Sequence, residues 1–544
     1  MMEVRVIWSL IKAFFSTVLL IFSITVIMAL IFNRETKLAA DSHPAVAYIV
    51  MWIAVIWLSM VEGGQASLVG LVPVNGILYE NSHLITYKCT SITNKGDNID
   101  RYLLGRQFMV VLIVFLINHC GASMDGDFQL WGFPHWLTNI FLNVGLAMIL
   151  FTCMVGQLTS QVNASVCMLD YIDNYFALFT LWIAMAIEFS GLLHAAYLIQ
   201  IVVAVLAGKE IQSNEGPRKG FQFIFFWLRV VLSVVILAVC FVVTFVALIE
   251  GKTTKWDSVP NVISIVLFFI LMSIVGLLEG MQIAFSSVAK IHESERGNNK
   301  FAKWTCDILF QKRNGLNLPG FMIGRQLCVV SCFFFIARIT TQNVPNGETN
   351  VMNVPNAVQE FFDTGFCSAI ITTIIGSIAW QLVASAFPIA FLSNPFTYIL
   401  LRFCLFLEAT GICSGVWALA ALHKWIAEFW RDERYIGTAE QRAKWNLGDS
   451  NKAPPALAEK ILSFHKEDDK LFKFKKRAPP NLKILAQADA DVRNYLIYVA
   501  ENYGKGFPAL LDISEGASNS DSASHSDSAS DSESASNSEN EVMA

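Results

Sequence analysis

The sequence predicts an all-α polytopic membrane protein, with about ten transmembrane helices drawn from a duplicated five-helix unit and a soluble C-terminal tail. Three observations carry this. Of 544 residues, 54% are hydrophobic and only 15% are charged, which is more apolar surface than a water-soluble core can hide. The apolar residues gather in runs long enough to cross a bilayer, where a helix satisfies its own backbone and an open strand edge does not. The two halves of the chain also carry the same short motifs at nearly constant spacing.

The first run, Ala13 to Phe32, is twenty residues without a charge, about the length that spans a bilayer. A signal peptide has a shorter apolar core followed by small residues, so this reads as a retained helix. Further runs follow near 45–70, 106–120, 137–158, 175–207, 221–249, 261–288, 320–340, 357–391 and 395–425. Beyond about residue 430 the composition turns charged and mixed. Residues 431–512 read as a cytosolic region with a few amphipathic helices, in which FKFKKR at 472–477 is a solvated face before it is a lipid contact. Residues 513–544, rich in Ser and Asp, have almost nothing to bury and read as disordered, with serines placed for phosphorylation.

The internal copy runs through the hydrophobic region. ALIF at 29–32, DSHP at 41–44, EGGQ at 62–65 and GRQ at 105–107 recur as ALIE at 247–250, DSVP at 257–260, EGMQ at 279–282 and GRQ at 324–326. EFSG at 188–191 matches EATG at 408–411, and GQL at 156–158 pairs more weakly with WQL at 380–382. The spacing divides the membrane region into 1–212 and 213–430. Units with an odd number of spans must point in opposite directions, the arrangement of many secondary transporters with a solute site near the midplane. Duplication therefore favours a transporter over a membrane enzyme, for which no nucleophile, metal cluster or paired aspartates stand at a recognisable spacing. One feature of the charges conflicts with inversion. Lys88, Lys95 and Arg101 place the first loop inside, yet the second-half loop that inversion puts outside carries Lys290, Arg296, Lys300, Lys303, Lys312 and Arg313.

In EGxQ, Glu62 and Gln65 are three residues apart and share a helix face, as do Glu279 and Gln282. Gly63 and Gly280 remove the side chain between them and can mark an unwound stretch. Gly105, Arg106 and Gln107, then Gly324, Arg325 and Gln326, repeat the theme at the mouth of the next helix. An amide donates and accepts at once, which suits a neutral solute bearing hydroxyls. The plain alternative is interhelical glue, with Arg106 and Arg325 neutralising Glu62 and Glu279, but intramembrane carboxylates are costly and default to function. Substrate binding is therefore expected at Glu62, Gln65, Gln107, Glu279, Gln282 and Gln326.

Other polar residues receive plainer readings. Asp41 and Asp257 stand before Ser and Pro at a helix start, as N-caps do. Glu188 and Glu408 lie deep in apolar runs, open to ion coupling or interhelical bonding. Cys167 and Asp170 of CMLD, residues 167–170, are three apart, yet two ligands do not make a metal site; the opposite stretch of the second half reads as FLSN at 391–394, without that pair. The NAS sequon at 163–165 falls between helices on the inner side, where it goes unused. Eleven cysteines are scattered with no CxxC pair and read as soft packers. The net charge of −5, much of it in the tail, points to no nucleic-acid partner.

At EGGQ with GRQ, EGMQ with GRQ, and CMLD, the chain resembles the silicon transporters of diatoms and related algae, over about residues 7–425. The resemblance implies a ten-helix plasma-membrane carrier, with intracellular vesicle membranes a second location, that couples silicic acid entry to sodium, with no other cofactor. It also implies solute-binding glutamines at Gln65, Gln107, Gln282 and Gln326, with Glu188, Glu408 and Asp170 left as ion-coupling candidates. Many members end in a coiled coil; this tail has no sustained heptads, so a homo-oligomer has no such device here. A passive channel and a carrier for another hydroxylated solute such as boric acid stay open.

Overall fold

The computed structural model describes residues 2–435, apart from 73, 81, 124–129, 207, 209–214, 217, 257, 289–298, 312–316, 345–348 and 433–434. Asp257, Lys290, Arg296, Lys312, Arg313 and everything from residue 436 onward, the Ser-rich stretch included, lie outside the described residues.

Among the described residues, ten helices form the bundle. In the first half these are α1 (Met2–Phe32), α2 (Pro44–Leu71), α3 (Asn98–Gly121), α4 (Leu146–Ala164) and α5 (Tyr175–Phe189). In the second half they are α6 (Phe221–Glu250), α7 (Asn261–Val288), α8 (Asn317–Thr340), α9 (Phe366–Ala386) and α10 (Pro395–Ala409). Eight of these are long and apolar enough to cross a membrane, which makes the chain a multi-pass membrane protein. The fifth run of each half is instead split. α5 gives way to a short helix at Ala195–Leu206 and α10 to one at Val416–Ile426. Both breaks hold a glycine in the left-handed region, Gly191 at φ 87° and Gly411 at φ 77°, a conformation that costs other residues energy and ends a helix. Asn174 and Asn394 start α5 and α10 by accepting from Ala177 N at 2.8 Å and Phe396 N at 3.0 Å.

α3, α4 and α8 are the most buried of the long helices, at 78%, 83% and 78%, whereas α6 is only 33% buried and turns most of its surface outward. Sequence explains the contrast: α6 is almost wholly Phe, Val, Leu and Ile, while α3 and α8 carry the GRQ motifs that lipid would penalise. Each of α4 and α9 contains one π-helical turn, at Thr152–Leu158 and Thr372–Ile378. Such a turn loosens the backbone ladder. Ser59 of α2 uses the slack, donating to Val155 O at 3.1 Å and Gly156 O at 3.2 Å.

The first helix of each half braces the broken helix of the other. Lys12 of α1 donates to Ala409 O at 2.6 Å, and Ser16 donates to Ile412 O. Arg229 of α6 donates to Phe189 O at 3.1 Å, and Ser233 to Leu192 O at 2.7 Å. A cation therefore sits at the carbonyl end of both α5 and α10, where the helix dipole favours it.

Two expectations need correction. Asp41 is not an N-cap: it ends the one-turn helix Lys37–Asp41, and His43, directly before Pro44, caps α2 by accepting from Ala45 N at 3.2 Å. Pro44 fixes the first helical position, which puts the cap one residue before it and leaves Asp41 too early. The register of the weaker matches also shifts by one turn. Helices Met168–Ile172 and Pro388–Leu392 correspond at the same spacing of 220 residues that separates the two π turns. CMLD therefore stands opposite FPIA at 387–390 rather than FLSN, and Gln381 stands opposite Gln161 rather than Gln157.

Candidate functional site

Four glycines let the helices carrying the motifs close in. A Cβ at Gly105 would lie 1.9 Å from Ala184 O, and one at Gly324 would lie 1.9 Å from Cys404 O, so α3 touches the backbone of α5 and α8 that of α10. A Cβ at Gly63 would meet Tyr171 Cζ at 2.3 Å, and one at Gly280 would meet Phe391 Cζ at 2.4 Å. α2 stays helical through Gly63, as α7 does through Gly280. These glycines admit an aromatic ring rather than unwind the helix.

The motif residues then meet inside the bundle. Glu62 is 3% exposed and Arg106 5%, with Arg106 Nη2 2.5 Å from Glu62 Oε2. Arg106 Nη1 also donates to Gln107 Oε1 at 2.8 Å, and Gln161 Nε2 to Glu62 Oε2 at 2.8 Å. The second half repeats this. Arg325 Nη2 lies 3.0 Å from Glu279 Oε1, Arg325 Nη1 donates to Gln326 Oε1 at 2.7 Å, and Gln381 Nε2 to Glu279 Oε2 at 2.9 Å. Burying such charges is tolerable only because each is paired and further hydrogen-bonded. Gln157 joins the two centres, donating weakly to Glu62 Oε1 at 3.5 Å and accepting from Gln326 Nε2 at 2.5 Å.

Sequence reasoning expected four converging glutamines. Gln107 and Gln326 are buried and enter this network. Gln65 and Gln282 are half-buried, one turn beyond Glu62 and Glu279. Gln161 and Gln381 were missed, although both lie at the spacing of the copies. Gln157 was noticed only as part of GQL.

The three ion-coupling candidates lie apart from this network. Glu188 accepts from Tyr197 OH at 3.0 Å, stands 3.8 Å from His194 Nε2, and feels the charges of Arg101, Arg218 and Arg229. Asp170 pairs with His83 Nε2 at 2.9 Å and accepts from Trp430 N at 2.5 Å, which makes it part of a contact with the segment after the last helix. Glu408 is half-buried beside Gly320, with its Oε2 3.4 Å from where a Cβ would stand. No group of three or more His, Cys, Asp or Glu able to hold a metal occurs among the described residues. Asn163 of the sequon is buried in α4 and bonds His423 Nδ1 at 3.1 Å. All eleven cysteines are buried and free.

Fold and site together define a multi-pass membrane protein with a hydrogen-bonding centre sealed between two matched sets of helices. The chain belongs to the silicon transporter family: the family description Silicon transporter matches residues 4–491. Membership gives it a transport role, with silicic acid the solute the family implies. No curated protein matched the chain, and no solved structure did.

Proposed function

We propose that the chain imports silicic acid across the plasma membrane by sodium-coupled secondary transport, as two inverted five-helix repeats that rock around the centre between α3 and α8. The observation that carries this reading is internal neutralisation: Glu62 with Arg106, and Glu279 with Arg325, cancel their charges and leave amides as the recognition groups. Silicic acid is mostly uncharged at neutral pH and presents four hydroxyls, so amides and half-used carboxylate oxygens suit it better than a charge clamp. Each hydrogen bond replaces one to water at a modest net gain, of about 1 kcal/mol, which also lets the solute leave.

Neutralised carboxylates make poor sodium ligands. Of the other candidates, Glu188 is crowded by arginines and Asp170 is committed to His83 and Trp430, whereas Glu408 stands beside the carbonyl end of α10 with no hydrogen bond to its carboxylate from any described residue. Hard oxygens at a helix break are the chemistry sodium requires, so Glu408 is the proposed ion ligand. Uptake of silicic acid into proteoliposomes, with and without an inward sodium gradient, tests the reading. Accumulation above equilibrium only with sodium is expected. Equilibration without sodium would mean a channel, and uptake of boric acid alone would mean another solute.

A further inference from the structure

The two centres have equivalent residues but not equivalent hydrogen bonding. In the second half every group is used. Arg325 Nε donates to Leu278 O at 3.2 Å, Gln326 Nε2 donates to Gln157 Oε1, and both Glu279 oxygens receive bonds at 3.0 and 2.9 Å. In the first half three groups are left over. Arg106 Nε is buried without a partner, and Gln107 Nε2 donates to no described residue. Both short bonds to Glu62 fall on Oε2, so Oε1 receives only the 3.5 Å approach of Gln157.

One substitution between the halves accounts for the difference at the two GRQ amides. α8 lies against the π turn of α4 as α3 lies against that of α9. The residue in register with Gln157 on the latter turn is Ser377, too short to reach the Gln107 amide as Gln157 reaches Gln326. A buried donor left unmet, as Arg106 Nε is, is costly, and native proteins keep few of them. Two adjoining donors and an underused carboxylate oxygen match a hydroxylated molecule, whose oxygens accept from Arg106 and Gln107 and whose hydroxyl donates to Glu62 Oε1.

We propose that each chain holds one silicic acid at a time, on Arg106, Gln107 and Glu62, the equivalent place in the second half being closed by Gln157 on the Gln326 amide together with Leu278 O on Arg325 and Gln381 on Glu279. This rests on silicic acid being the solute. Gln157 is thereby a positioning residue that helps make the two centres unequal, a role no motif in the chain advertises.

Equilibrium dialysis of the full, purified chain against radiolabelled germanic acid, the analogue of silicic acid, counts the sites. One bound molecule per chain is expected. Gln157→Ser frees the Gln326 amide alone, since Arg325 Nε and both Glu279 oxygens keep their partners, and should leave the count at one, while Ser377→Gln should supply the missing acceptor to Gln107 and weaken binding at least tenfold. Two sites in the unaltered chain, or unchanged binding in Ser377→Gln, would overturn the inference. Should Gln157→Ser not fold, the Ser377→Gln result decides alone. No binding by the unaltered chain would instead overturn the functional reading itself, and this inference with it.

Discussion

Arg106 holds Glu62 at 2.5 Å within the bundle, and neither residue is more than 5% exposed. Removing one member leaves the other as a buried, uncompensated charge, at a cost of roughly 3–5 kcal/mol, whereas replacing both removes the problem along with the attraction. Glu62→Ala and Arg106→Ala should each lower the melting temperature of the detergent-solubilised protein sharply, and Glu62→Ala combined with Arg106→Ala should cost less than their sum. Additive losses would mean that the pair is not energetically coupled. Transport should fall in all three variants, so the thermal cycle, not uptake, separates the pairing from solute recognition.

The close approach at the GRQ glycines is a separate matter. A methyl group at Gly105 or Gly324 would collide with a backbone carbonyl, which cannot swing aside. Gly105→Ala and Gly324→Ala should therefore each destabilise by about 1–3 kcal/mol or more, by driving α3 from α5 and α8 from α10. Gly64→Ala is the control, because its Cβ would stand 3.4 Å from Tyr102 OH and α2 is helical there. Replacing a helical glycine without a clash should be neutral or gain up to about 1 kcal/mol. Thermal melts of the three variants check this, and equal losses would sink the packing argument.

These residues also show how far the sequence could be read. The spacing of EGxQ and GRQ announced that the motifs belong together, since copied residues must be copied for a shared environment. The pairing of Glu62 with Arg106 was legible as an alternative, because an intramembrane carboxylate needs a counterion. What stayed hidden depends on helix shape. Gln157 and Gln161 fall one helical turn apart, and only the π turn at 152–158 decides which one answers to Gln381. Gly63 looked like a place to unwind, and nothing local told that Tyr171, more than a hundred residues on, would fill the notch. The broken fifth helices were likewise hidden in apolar runs, with only Gly191 and Gly411 to mark them.

Outside the membrane spans, on the short helix Leu84–Thr93, burial and the nearby Asp173 carboxylate push the Cys89 thiol up to about 12. Both causes disfavour the thiolate, so at pH 8 its thiolate fraction should be lower than that of an ordinary cysteine by roughly a thousandfold. Mass spectrometry after treatment with N-ethylmaleimide should find Cys89 unmodified in the folded protein at that pH and modified after denaturation. Fast labelling of folded protein at pH 8 would contradict the burial.

The last contact ties the chain's later part to the first centre. Asp432 is 2% exposed, and its carboxylate accepts from Met168 N and Leu169 N, both at 2.9 Å. It thus caps the start of the helix Met168–Ile172, where an acid also opposes the helix dipole. That helix carries Tyr171, whose ring fills the notch at Gly63 and whose hydroxyl donates to Ser59 O at 2.9 Å, one turn from Glu62. Hydrogen bonds to a charged group contribute about 1.5–3 kcal/mol each. Asp432→Ala should therefore cost roughly 3 kcal/mol and loosen the seat of Tyr171, with Asp432→Asn, which keeps an acceptor but not the charge, falling between. A chain ending at Phe429 loses the same cap and also the Trp430 N bond to Asp170, and should melt no higher than Asp432→Ala. If that shortened chain instead melted with the full protein, the cap would contribute nothing, and Tyr171 would be held by its ring contacts alone.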